Sequence, residues 1–216
     1  MKKLIICIIS ILCSGMAVSA QDWAQFSRYE SANEEVTKKP KAVLMGDSIT
    51  DGWFFADPAF FTENNFIGRG ISGQTTSHML VRFRRDVVDL HPKYVLILAG
   101  TNDIAKNNGD ITLENTLGNI ISMCEIAKAN KIIPIICSVL PADRFGWRPG
   151  MKPAEDIVKL NEMLKEYADS KKIQYIDYYS VLADENGALP KQHAEDGVHP
   201  NLSCYKIMEK IVLETL

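Results

Sequence analysis

Several kinds of residue and pattern are scarce or missing in this 216-residue chain, and each absence removes a class of function. It carries only four histidines, dispersed as His78, His91, His193 and His199. Four scattered histidines do not offer the clustered His and Asp ligands of a metal-dependent hydrolase, so neither a metal nor a cofactor is expected. No run of Lys or Arg and no basic–aromatic stripe occurs, so nucleic acid is not an expected partner. No Gly-x-Ser-x-Gly pentapeptide is present, although that elbow is what an α/β-hydrolase uses to present its serine. No apolar run approaches the ~20 residues that span a bilayer.

The longest such run, Leu4 to Cys13, follows Lys2 and Lys3 and precedes the small-residue stretch Val18-Ser19-Ala20. A positive start, a short apolar stretch and a small-residue site describe a secretory signal peptide over residues 1–20, with cleavage expected after Ala20. A secreted or periplasmic location follows, with no stable membrane insertion once the signal is removed. The remaining chain, 21–216, carries 22 basic and 27 acidic residues. Its length suits one domain with a sizeable core. Cysteine is also scarce: only Cys124, Cys137 and Cys204 lie beyond the signal. An odd number leaves at least one unpaired in an oxidising compartment. Their spacing fits no zinc site and assigns no disulfide, and small buried side chains are the expected role.

Against these absences stand five short apolar runs, Ala42–Met45, Asn65–Ile67, Tyr94–Ala99, Ile132–Cys137 and Ile173–Ile176. Between them, apolar residues recur at helical spacing: Leu80, Phe83, Val87 and Leu90; Leu113, Leu117, Ile120, Cys124 and Ala127; Ile157, Leu160, Leu164 and Tyr167. Pro153 suits the first turn of the third set, and a last helix is expected from about Leu202 to Glu214. Strands alternating with helices predict an α/β fold in three layers, with a five-stranded parallel sheet covered on both faces. Trp53–Asn64 and Pro141–Lys152 read as two long loops.

Polar and glycine-rich motifs fall where these strands end or a helix begins. Gly46-Asp47-Ser48-Ile49-Thr50 follows the first strand, Gly68-Arg69-Gly70-Ile71-Ser72-Gly73 the second, and Gly100-Thr101-Asn102-Asp103 the third. Asp196-Gly197-Val198-His199-Pro200 precedes the last helix. In open parallel sheets the carboxyl ends of the strands form one rim, where sites gather. A serine needs a base to take its proton and a third group to orient that base. Asp196, three residues before His199 on one loop, can reach the second ring nitrogen of that base.

The four motifs, in this order, resemble the blocks of the SGNH hydrolases, also called the GDSL esterase/lipase family. The stretch Cys137-Ser138-Val139-Leu140-Pro141 is similar to the platelet-activating-factor-acetylhydrolase-like branch. The resemblance implies a flavodoxin-like sheet and a serine esterase without cofactor. It implies Ser48 as nucleophile, His199 as base and Asp196 as its orienter. The Ser48 and Gly70 N–H groups and the Asn102 side-chain amide would form the oxyanion hole. A glycine at position 70 suits a close approach of backbone to ligand. Related sequences often carry Asn where Gly68 stands, and Gly where Cys204 stands.

The four motifs, the signal peptide and the lack of a lipid-sized apolar stretch beyond it together point to a small acyl ester, foremost an acetyl group on a carbohydrate, as substrate. A lysophospholipase or thioesterase is one alternative, with Phe54, Phe55, Phe60 and Phe61 lining an acyl site, although core packing suits these rings too. A non-catalytic carbohydrate-binding module on the same fold is another, but such a module has no need of Ser48, Asn102, Asp196 and His199 together. Trp147 and Arg148 are candidates for lining the substrate. Asp47 is expected to brace the turn before Ser48. His78 and His91 read as structural or solvated, and His193 as exposed. Oligomeric state is left open.

Overall fold

The structure, a computed structural model, describes residues 22–216. Residues 1–20, read above as a signal peptide, lie outside the described residues. Among the described residues no helix is long and apolar enough to cross a membrane.

The five apolar runs form the strands β1 (Ala42–Gly46), β2 (Phe66–Gly70), β3 (Tyr94–Leu98), β4 (Ile133–Cys137) and β5 (Gln174–Ile176). All neighbours pair in parallel, in the order β2-β1-β3-β4-β5. The helices are α1 (Glu30–Glu34), α2 (Ser48–Ala56), α3 (Pro58–Glu63), α4 (Thr76–Asp86), α5 (Thr101–Ile104), α6 (Leu113–Ala129), α7 (Ala154–Lys171), α8 (Tyr179–Leu182) and α9 (Leu202–Thr215).

Two apolar layers enclose the sheet because alternate side chains of each strand point to opposite faces. Val43, Met45, Val95 and Ile97 pack against α4, α6 and α7 through Phe83, Ile120, Cys124, Leu160 and Leu164. Ala42, Leu44, Leu96 and Leu98 pack against α2, α3 and α9 through Trp53, Phe61, Tyr205 and Met208. Burial on both faces is why the strands read as continuous apolar runs rather than as alternating ones.

Three expectations need correction. Trp53–Asn64 is not a loop: it completes α2 and forms α3. Asp57 caps α3 through the Phe60 N–H, and Pro58 occupies its first turn, where a missing N–H removes no intrahelical bond. Of the four phenylalanines there, Phe60 and Phe61 are core, whereas Phe54 and Phe55 are exposed. Gly68 and Gly70 of the second motif do not follow β2 but lie within it, in register with Leu44 and Gly46 of β1. The periodic set Leu80–Leu90 is broken after Asp86, where the chain turns into a short 3-10 segment, Val88–Leu90.

All three cysteines of the described chain are free and buried. Burial pushes the thiols up, to about 12 for Cys124 and Cys137 and about 11 for Cys204, so they behave as small apolar side chains.

Candidate active site

Ser48 is the first residue of α2, directly after β1. The turn is held by Asp47, whose buried carboxylate accepts the Ile49 N–H at 3.0 Å. The Ser48 N–H falls in the first turn, where backbone donors have no intrahelical acceptor. Gly70 ends the neighbouring strand beside it. A Cβ at position 70 would collide with backbone atoms of Asp47, Thr50 and Asp51. The glycine is therefore what lets β2 close against the first turn of α2. Gly70→Ala is expected to lose roughly 1–3 kcal/mol of stability, the usual range for overpacking, measured by urea unfolding. Unchanged stability would show that the turn can give way.

His199 lies across from Ser48, 151 residues later in the chain. Its Nε2 is 2.9 Å from Ser48 Oγ, and its Nδ1 is 2.6 Å from Asp196 Oδ2. The other Asp196 oxygen accepts the N–H groups of Val198 (2.9 Å) and His199 (2.8 Å). One carboxylate thus shapes the loop and holds the ring. Burial works to raise the Asp196 carboxyl. The hydrogen bonds from the His199 ring and from the His199 and Val198 amides outweigh it, leaving the group below its ordinary value. Positive φ at Gly197 lets the loop turn between the two side chains.

Asn102, on α5 after β3, is buried beside Asp47. Its Nδ2 donates to the Gln74 carbonyl at 3.0 Å and, more weakly, to Asp47 Oδ2 at 3.3 Å. Its Oδ1 accepts from Asn107 Nδ2 at 2.6 Å. Asp103 next to it accepts from the Thr76 N–H and hydroxyl, tying α5 to the start of α4. Burial pushes both Asp47 and Asp103 up, to about 6. A carboxyl raised in the folded state binds its proton more tightly there than in the unfolded chain. Its stabilising effect is therefore present in acid and is lost as pH rises through about 6. Asp103→Asn removes one such group. The stability of the unaltered protein relative to Asp103→Asn is expected to fall by on the order of 1–3 kcal/mol between pH 4.5 and 7.5. Chemical denaturation at the two pH values measures it, and a difference independent of pH contradicts it.

Of the two residues expected to line the substrate, only Trp147 faces His199. Its ring centroid is 6.1 Å from that of His199, and it stacks on the buried Phe145 at 4.9 Å. Arg148 instead donates to the Lys106 carbonyl at 2.9 Å, which holds the Pro141–Lys152 loop to the turn after α5. An open depression of about 470 Å3 lies over Glu195, Asp196, His199, Pro200 and Asn201. A more apolar groove of about 350 Å3 runs along the edge of β2 between Tyr29, Phe54, Phe55 and Arg69.

Arg82 had no signal in the sequence beyond a position on an amphipathic helix, yet it is fully buried. It donates to Asp86 (2.8 Å), to Gln74 (2.6 Å) and to the carbonyls of Gly46 and Arg69, both at 3.0 Å. Those carbonyls lie at the ends of β1 and β2, next to Asp47 and Gly70. The guanidinium thus joins the two strand ends that carry Ser48 and Gly70. His78 caps α4 through Thr75 and packs on Trp23, while His91 is exposed. His193, expected in solvent, is half-buried, and its Nδ1 is buried without a partner. The backbone of its segment is pinned to the start of α9, because Asn201 N–H donates to the His193 carbonyl.

With this geometry in hand, comparison with known proteins decides the family. Residues 44–207 match the model of the GDSL-like lipase/acylhydrolase family. The chain belongs to that family. It is 47% identical to a candidate acylhydrolase from Bacteroides fragilis, over 90% of this chain and 96% of that one, with a TM-score of 0.87. A GDSL-like lipase from Bacteroides thetaiotaomicron is 46% identical over 88% and 96% of the two chains, with a TM-score of 0.85. An acetylxylan esterase from Geobacillus stearothermophilus shares the fold at 19% identity and a TM-score of 0.63, over 83% of this chain and 95% of that one. The chain spans less than half the length of the curated relatives it matches. One of these, a multidomain esterase from Ruminococcus flavefaciens, is 30% identical over 58% of this chain and 16% of its own length.

Proposed function

We propose that this GDSL-like esterase is exported and removes small acyl groups, acetyl foremost, from carbohydrate esters through a Ser48–His199–Asp196 acyl-enzyme mechanism. The observation that carries the reading is the continuous contact from Ser48 Oγ through both ring nitrogens of His199 to Asp196. The order of these contacts assigns the tautomer: a proton on Nδ1 meets the carboxylate, leaving Nε2 free to accept from the serine.

In acylation, Ser48 Oγ bonds to the ester carbonyl carbon while its proton passes to His199 Nε2. The carbonyl oxygen becomes an oxyanion facing the Ser48 and Gly70 N–H groups and Asn102. One Asn102 amide hydrogen is held by Gln74. The other, only weakly engaged by Asp47, is the one that turns to the oxyanion. Collapse breaks the bond to the leaving alcohol, which takes the proton from His199. Water then attacks the acyl-serine carbonyl and gives a proton to His199; the acyl–Oγ bond breaks, Ser48 Oγ takes that proton back, and the acid leaves.

The open depression at His199, lined by Glu195, Asp196 and Asn201, and the exposed Trp147 ring suit a sugar on the leaving-group side. The fold shared with an acetylxylan esterase fits the same reading. Export rests on the leader pattern of residues 1–20. The apolar groove at Phe54 and Phe55 favours a second reading, in which a longer acyl chain is accepted. Hydrolysis of p-nitrophenyl esters of increasing chain length, beside an acetylated xylo-oligosaccharide, separates the two. The expected kcat/KM is highest for acetyl and falls with chain length. A maximum at eight carbons or more would favour the second reading and exclude the first.

A further inference from the structure

We propose that Asn107 is a positioning residue that orients the Asn102 amide, and that it takes its own orientation from Trp147. The proposal rests on the assignment of Asn102 to the oxyanion hole. A side-chain amide has a donor end and an acceptor end that differ little in shape, so its direction must be set by partners that can play only one role. Trp147 is such a partner, because an indole N–H can only donate. Its Nε1 lies 2.9 Å from Asn107 Oδ1. This leaves the Asn107 NH2 to face Asn102 Oδ1, at 2.6 Å. The Asn102 NH2 is then directed to the opposite side, where the Gln74 carbonyl and the Asp47 carboxylate can only accept. The polarity of the chain Trp147–Asn107–Asn102 is therefore consistent from both ends. Nothing in it depends on choosing one amide rotamer over another by shape.

The surrounding backbone supports the same arrangement. Asn107 N–H donates to the Asn102 carbonyl at 3.0 Å, closing the turn that brings the two side chains together. Arg148 holds the Trp147 loop to the adjacent Lys106 carbonyl. Trp147 itself is exposed beside His199. The ring that meets the leaving group thus also determines which end of Asn102 meets the oxyanion.

The informative substitution is Asn107→Asp. The introduced carboxylate can still accept from Trp147 but has no hydrogen for Asn102 Oδ1, so it draws the Asn102 NH2 toward itself and presents oxygen to the oxyanion. Loss of a complete oxyanion donor lowers turnover 10²–10³-fold. Asn107→Asp is expected to lower kcat on p-nitrophenyl acetate about 10- to 100-fold while KM changes less than about 2-fold. Asn107→Ala, which leaves Asn102 free to choose, is expected to lose less. Affinity for a boronic acid that forms a tetrahedral adduct on Ser48 should fall in step with kcat. Trp147→Phe keeps the ring and removes only the N–H. It is expected to lower kcat about 3- to 10-fold, and it serves as the test should Asn107→Asp not fold.

An unaltered kcat in folded Asn107→Asp and in Trp147→Phe would overturn the proposal, as would a loss confined to KM. Asn102→Ala is measured in parallel. If it is inactive while the Asn107 variants are not, the proposal alone fails. If Asn102→Ala keeps full activity, the oxyanion assignment fails beneath it.

Discussion

Ser48→Ala is expected to lower kcat for acetyl ester hydrolysis by about 10⁴–10⁶-fold, with Tm unchanged within about 2 °C. The magnitude is that seen when the nucleophile of a serine–histidine–aspartate system is removed and only binding and oxyanion stabilisation remain. Stability is spared because Asp47 caps α2, and among the described residues the only side-chain partner of the Ser48 hydroxyl is His199. Without the hydroxyl no acyl-serine forms, so the burst of p-nitrophenol in a pre-steady-state assay should vanish as well. A variant that keeps more than about a tenth of the activity would transfer the nucleophile's role elsewhere.

The second large effect belongs to Asp196→Asn, expected to lower kcat about 10³–10⁴-fold. The substitution leaves an oxygen for the Val198 and His199 N–H groups, so the loop should persist. It places an NH2 against His199 Nδ1, where only an acceptor suits the active tautomer. The ring responds by carrying its proton on Nε2, which can then no longer accept from Ser48. Asp196→Ala removes both functions of the carboxylate and should also lower Tm. The contrast separates orientation of the ring from folding of the loop. Equal activity in Asp196→Asn and the unaltered protein, at any pH from 6 to 9, would exclude Asp196 as the orienting group.

The layered fold was legible because it depends on local patterns. Tyr94–Leu98 is apolar throughout, since both faces of a central parallel strand are covered. The periodicity of Leu113 to Ala127 reports a helix with one buried face. The second half of α2 and α3 were missed although a signal was present: Asp57-Pro58 is a cap followed by a first-turn proline. Four phenylalanines with no clear period hid it, because two of them face the core and two face solvent.

The site divides along the same line. Composition and order alone determined that a serine after the first strand, a glycine at the second, an asparagine after the third and a late Asp-x-x-His would lie on one rim. Parallel strands all end on the same side, so no long-range information was needed. Only the tertiary structure decided which groups touch. It brought His199 within 2.9 Å of Ser48, buried Arg82 between two strand ends, and linked Trp147 to Asn102 through Asn107. Such contacts join residues up to 151 positions apart and have no period or local motif. They exist because the two packed layers bring distant chain segments to fixed positions, and a buried polar group must then find its partner there.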